Sequence, residues 1–261
     1  MANFSPFRVK AHELSNVKKV IAVTSGKGGV GKSLTTALLA INARRSGKKV
    51  AIIDADVTGP SIPKIFGLTE MVKASEDAMF PVLSSTGIEI ISLNLMTEDP
   101  SAPVIWRGPV ISGLIKQFWT DVAYGDIDEL YIDMPPGTGD VPLTVFQSLP
   151  VDAIVTVTSP QDLVSLIVEK SVRMAQMMEV PLLAVVHNMA YMECPHCGEK
   201  LYPYGVTKLG ELAQYGVKTE DELPIDPSLA RLCDEGRLED YQGEYLQKVN
   251  EAVSNFDPKA K

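Results

Sequence analysis

The chain has 261 residues, 45% hydrophobic and 22% charged, with 33 acidic against 24 basic side chains and a formal net charge of −9. That length and apolar content suit one large α/β domain, and the acidic balance disfavours both a nucleic-acid partner and an anionic membrane surface. No apolar run reaches the roughly 18–20 residues of a membrane span, and the start lacks a signal-peptide core, so a cytoplasmic location is expected.

Residues 1–17 are polar and mixed and read as an N-terminal arm, flexible or briefly helical, with no chemistry. A single domain is expected over 18–261. Residues 20–24 form an apolar strand that enters Gly26-Lys27-Gly28-Gly29-Val30-Gly31-Lys32-Ser33, and a helix-period run leads out to about residue 46, closed by Gly47. Strand, glycine-rich loop, Gly-Lys-Ser and helix together make a phosphate-binding loop. The glycines let backbone N–H groups approach phosphate oxygens, and the helix start adds donors and its dipole. Lys32 is expected to reach the β- and γ-phosphates and Ser33 to hold Mg²⁺. Lys27 is a second loop cation that needs a separate explanation.

The continuous apolar run 50–53 reads as a strand buried on both faces, ending in Asp54-Ala55-Asp56-Val57-Thr58-Gly59-Pro60-Ser61. Two carboxylates at the carboxyl end of such a strand lie where α/β sheets bind ligands. One of them alone would read as a cap for a helix starting near Ser61; the pair points to Mg²⁺ or water. Residues 68–86 have weak periodicity and are expected as a surface excursion, and 88–93 as a strand. Trp106-Arg107-Gly108-Pro109 opens a helix to about residue 122, with Arg107 either a phosphate ligand or a salt-bridge partner. The run 130–133 delivers Asp133 to the Mg²⁺ shell in the manner of a Walker B strand, and the segment through Asp140 reads as a switch loop.

Residues 153–158 read as a strand and 161–178 as an amphipathic helix whose Met174, Met177 and Met178 fill core. The strand 182–186 ends in His187, read as structural, and Asn188, whose amide suits an adenine edge. A helix is expected over 207–215, then a loop with Pro224 and Asp226, a helical stretch 228–235 holding Cys233 as a small buried hydrophobe, and a helix 239–256 docked on the body. The alternation predicts a doubly wound, mostly parallel sheet with helices on both faces.

Cys194-Pro195-His196-Cys197-Gly198 has the form of a metal knuckle but supplies only two thiolates, whereas structural zinc and iron–sulfur clusters take four ligands. A two-fold partner would supply the other two. Four readings are open: a cluster bridged between subunits, zinc with His196 or water, a redox dithiol, and an inert pair.

Taken together these motifs resemble a known family. The loop 26–33 is similar to the deviant Walker A loop of ATPases related to MinD, ParA and the nitrogenase iron protein. The stretches beginning at Asp54, Trp106, Asp133 and Cys194 narrow the resemblance to the Mrp/ApbC branch of iron–sulfur cluster carrier ATPases, over roughly residues 18–241. The resemblance implies a homodimer that binds and slowly hydrolyses ATP with Mg²⁺, and a cluster, [4Fe–4S] in type, bridged by Cys194 and Cys197 of two subunits and passed to apo iron–sulfur proteins. It implies that Lys27 reaches a phosphate of the nucleotide on the other subunit, that Asp56 positions the attacking water, and that Asn188, with Pro224 and Asp226 nearby, meets adenine; the residues themselves place Asp54 and Asp133 in the Mg²⁺ shell. Where the family carries a glycine-rich segment after the second cysteine, Leu201-Tyr202-Pro203-Tyr204-Gly205-Val206 stands here. The rival readings are a positioning or partition ATPase and a zinc-stabilised P-loop metabolic enzyme.

Overall fold

The computed structural model describes residues 8–57, 59, 61–97, 108–137, 139–160, 164–206 and 209–259. An eight-stranded sheet forms its centre: β1 (Val20–Ser25), β2 (Val50–Asp54), β3 (Val82–Leu83), β4 (Glu89–Ile91), β5 (Glu129–Asp133), β6 (Ala153–Thr158), β7 (Leu182–Asn188) and β8 (Thr219–Leu223). The spatial order is β8-β7-β6-β1-β5-β2-β4-β3, parallel throughout except for the antiparallel β3–β4 pair at one edge. The helices are α1 (Lys32–Arg45), α2 (Ile62–Ile65), α3 (Gly108–Thr120), α4 (Asp140–Ser148), α5 (Val164–Met177), α6 (Pro227–Glu235) and α7 (Gln247–Asn255).

Strand alternation divides the core into two layers. Along β1, Ile21 and Val23 face α1, α6 and α7, while Val20 and Ala22 face α3, α4 and α5. Every residue of β1, β2, β5 and β6 is buried, which is why the centres of these strands are dominated by apolar side chains. Parallel register puts Val23 opposite Asp133, and Asp133 opposite Asp54. The carboxyl ends of the three strands that carry the site motifs are therefore level and adjacent.

Several expectations are corrected. Residues 8–17 are tied down: Val9 N–H donates to Ser148 O, Trp119 Nε1 donates to Val9 O, and Ser15–Val17 pairs with Gly125–Ile127 as a parallel ladder. The excursion 68–86 is no simple loop, because Val82 is buried and β3 joins the sheet. Strand 88–93 is shorter, Glu89–Ile91, and passes into a 3-10 turn. Over 207–215 the described part is a 3-10 turn, Glu211–Tyr215. β8 was not expected at all. Helix 239–256 begins only at Gln247, because Leu246 takes a left-handed φ of 64°. Met174 and Met178 pack on the core, but Met177 is 78% exposed.

The C-terminal helix is held by buried charge. Lys19 Nζ donates to Val253 O (2.5 Å) and Ser254 O (3.2 Å), so an ammonium meets the negative end of α7. Lys48 Nζ joins Ser254 Oγ (2.5 Å) to Glu129 Oε1 (2.6 Å), and Tyr131 OH donates to the other oxygen of Glu129 (2.8 Å).

Candidate functional site

β1 ends in the glycine-rich loop, where Gly29 and Gly31 take left-handed φ values of 79° and 84°. Gly31 is the N-cap of α1 and carries no side chain to fill the amide donors at the helix start. Ser25 Oγ donates to Lys27 O (3.0 Å), and Gly137 N–H donates to Ser25 O (2.9 Å), fastening the loop to the Pro135–Pro136 segment. Lys27 itself is exposed.

Lys32 is buried, with its Nζ 2.9 Å from Asp133 Oδ1 and 3.5 Å from Asp56 Oδ2. It forms ion pairs there but no hydrogen bond of good geometry, so a buried ammonium keeps unused donors. Ser33 Oγ donates to Asp133 Oδ2 (2.6 Å) and Thr36 Oγ1 to Asp133 Oδ1 (2.9 Å). Asp54 accepts from Ser92 Oγ (3.0 Å) and from the Asp56 backbone N–H (3.2 Å). Two carboxylates thus face one buried ammonium, and Asp54 stands beside Asp133 in the sheet register. Burial, then the charge of Asp133, pushes the Asp54 carboxyl up to about 8. The Ser33 hydroxyl 2.6 Å from the Asp133 carboxylate offers oxygen ligands of the kind a hard divalent cation takes, and the unused Lys32 donors beside an open glycine loop suit phosphate oxygens.

The loop glycines, Lys32, Ser33 and Asp56 line a cleft of about 690 Å³ that runs on to Asn188 and Met189, and is walled by Lys64 of α2 and by Cys233 and Asp234 of α6. Asn188 donates from Nδ2 to Val30 O (2.8 Å). Pro224 and Asp226 do not line this cleft. Asp226 caps α6, accepting from Ser228 N–H (2.8 Å) and Ser228 Oγ (2.6 Å). Partial burial would raise its carboxyl, but the Ser228 donors and the Tyr241 and Tyr245 hydroxyls hold it below the ordinary range. Trp106, Arg107 and Thr138 lie outside the described residues. Thr36 and Ser92 were missed: one hydroxyl lies inside α1 and the other just past β4, and only tertiary packing brings each to a carboxylate. Cys233 is half-buried, and burial raises its thiol to about 11.

The cysteine pair sits on a small hairpin, Met192–Glu193 against Lys200–Leu201. Cys194 N–H donates to Glu199 O and Gly198 N–H to Cys194 O, both at 2.9 Å, while Gly198 takes φ 75°. Backbone N–H groups of His196 and Cys197, then the Cys197 thiol, donate to the Cys194 sulfur and lower its pKa. All three cysteines are unbridged, and Cys197 and His196 are exposed. Among the described residues no three His, Cys, Asp or Glu side chains gather as a metal site, so His196 does not complete one with the two thiols.

The comparisons with known proteins now bear on this geometry. A ParA family model, described as NUBPL iron-transfer P-loop NTPase, matches residues 16–256. The chain belongs to this family. An iron–sulfur cluster carrier protein of Clostridium perfringens is 44% identical over 238 residues, covering 88% of this chain and 84% of its own. The corresponding carrier of Pseudomonas fragi is 43% identical, covering 86% and 79%. A nucleotide-binding protein from Archaeoglobus fulgidus, solved in complex with ADP, superposes with a TM-score of 0.79 at 43% identity over 93% of both chains. MinD from Pyrococcus horikoshii shares the fold, with a TM-score of 0.57 at 17% identity. The doubly wound P-loop NTPase fold and the iron-transfer family expected from the motifs are both borne out. No helix among the described residues is long and apolar enough to cross a membrane.

Proposed function

We propose that this chain is a nucleotide-controlled iron–sulfur cluster carrier that hydrolyses ATP and holds its cargo between two copies. The observation that carries the reading is a half-site: two exposed-edge thiols, one tuned toward thiolate, with no further ligand gathered around them among the described residues. Two such knuckles facing across a two-fold axis make the four-thiolate set of a [4Fe–4S] cluster. Relatives 44% and 43% identical are named iron–sulfur cluster carrier proteins.

At the other end, ATP would lie along residues 26–33, with the unused donors of Lys32 on its β- and γ-phosphates. Ser33 and Asp133 would hold Mg²⁺, with Asp54 behind them, and the ion would draw charge off the phosphate oxygens. Asp56 would orient a water in line with the γ-phosphorus, so that a water–phosphorus bond forms as the bond to the ADP oxygen breaks. Lys27 of the second copy would add its charge at the γ-phosphate, making full charge neutralisation, and so hydrolysis, depend on the dimer.

Anaerobic reconstitution with iron and sulfide tests this. Expected are a cluster absorption band, about two iron atoms per chain, and sedimentation as a dimer, all lost in Cys194→Ala/Cys197→Ala. A wild-type protein without the band, or a double variant that keeps it, overturns the carrier reading.

A further inference from the structure

Asn188 ends β7 at the wall of the nucleotide cleft, and the chain runs from it directly to Cys194. Its amide is committed on both sides. Nδ2 donates to Val30 O (2.8 Å) and Oδ1 accepts the Met189 N–H (2.9 Å). Gly31 makes the first bond possible, since a Cβ there would overlap Asn188 Nδ2. The second bond supports a corner that methionine rarely adopts: Met189 has φ 59°. Such a conformation persists where its surroundings over-determine it, and it gathers at switch regions.

From the corner onward each link is a direct contact. Ala190 N–H donates to Leu223 O (3.1 Å) and Ile225 N–H to Tyr191 O (2.7 Å). The Lys200 ammonium lies 3.8 Å over the Tyr191 ring, and Lys200 pairs with Glu193 in the hairpin that closes the cysteines. The far end of the segment is tied to the same strand. Glu220 of β8 bonds His187 Nε2 and accepts from Gly210 N–H, both at 2.9 Å.

We propose that Asn188 and Met189 are positioning residues through which occupancy of the nucleotide cleft sets the presentation of Cys194 and Cys197. This deepens the carrier reading and rests on it. Both residues line the cleft, so a nucleotide meets the same amide that holds the loop carbonyl and the corner. A loop that closes on phosphate carries the Val30 carbonyl with it and draws on Asn188. The corner then loses its hydrogen bond and turns toward negative φ, rotating the strand that leads to Cys194. The coupling is reciprocal, so a ligand on the thiolates shifts nucleotide affinity by the same factor.

The test uses metal-free full-length protein and needs no cluster. The rate of iodoacetamide alkylation is followed by mass spectrometry on the peptide carrying Cys194 and Cys197, which keeps Cys233 in the cleft wall out of the reading. In the wild type, saturating Mg-ADP is expected to change that rate about fivefold or more, the low end of ordinary coupling between sites. In Asn188→Ala, at nucleotide saturating for the variant, the ratio falls to about one. Met189→Gly is the second arm, because it frees the corner while leaving the Asn188 side chain in place; its ratio also falls toward one. Wild-type thiols indifferent to nucleotide, or a Met189→Gly ratio equal to the wild type's, overturn the proposal. Loss of cluster binding in reconstitution would overturn the carrier reading without altering this ratio, so the two failures are distinguishable.

Discussion

Lys32 and Lys27 occupy one loop but opposite environments, and that difference predicts different losses. Lys32 is 6% exposed, next to Asp133 and Asp56, and its removal leaves buried carboxylates without their cation. Lys32→Ala is expected to abolish measurable nucleotide binding in equilibrium titration. Lys27 is exposed, and Lys27→Ala is expected to keep ATP affinity within several-fold while turnover falls by a hundredfold or more, the scale of a lost charge-supplying finger. Equal loss of affinity in both variants would contradict the assignment of Lys27 to the second copy's nucleotide. The loop was legible in the sequence because its glycines and lysines are local: eight consecutive residues carry the whole geometry. The partners of Asp54 and Asp133 were not, because Ser92 and Thr36 reach them only through strand register and helix docking.

The elements that were misread share a cause. β8 holds Thr219, Glu220, Asp221 and Glu222 before one buried residue, Leu223, and a strand at the end of a sheet needs no apolar run. The stretch 239–256 keeps helical spacing, yet Glu239 is drawn elsewhere. Its carboxylate accepts from Ser84 Oγ (2.7 Å), from Ser85 N–H (3.0 Å) and Oγ, and from Thr86 N–H and Oγ1. Burial alone would raise that carboxyl, but these donors outweigh it and hold it below the ordinary range. A group whose folded pKa is depressed stabilises the fold above its unfolded value, near 4.3, and that contribution disappears as the pH falls through the folded value. Glu239→Gln is therefore expected to cost about 1–2 kcal/mol in urea unfolding at pH 7, with the difference from wild type shrinking progressively below about pH 4.5. A difference that persists unchanged at pH 3 would count against the charged nest. Close approach between α2 and α6 is likewise a tertiary feature. A Cβ on Gly67 would stand 2.6 Å from Gly236 O, so the wall of the nucleotide cleft is built on two glycines that cross.

At the scale of the whole molecule, nucleotide cleft and cysteine hairpin lie in sequence on either side of Asn188, and each is incomplete in its own way. The cleft has unused donors at Lys32; the hairpin has two thiols where a cluster takes four ligands. The family and the doubly wound fold could be read from the motifs because the phosphate loop and the Asp54 and Asp133 stretches each end a strand at the carboxyl edge of the sheet, where such folds bind ligands. The mechanical path between the two ends could not be read, because it runs through the side-chain amide of Asn188 and a left-handed methionine that spacing does not encode.

The polar character of β8 has a further consequence for handling the protein. An unpaired strand edge is a template for another chain, and here Glu220, Asp221 and Glu222 stand along it in sequence. Like charges meeting there repel, so these carboxylates disfavour pairing of the edge with a second copy. Neutral amides in their place would remove that guard while the backbone donors and acceptors remain. Glu220→Gln/Asp221→Asn/Glu222→Gln is expected to form strand-rich aggregates, followed by light scattering and a rising thioflavin signal, and Asp221→Lys alone is expected to stay clear.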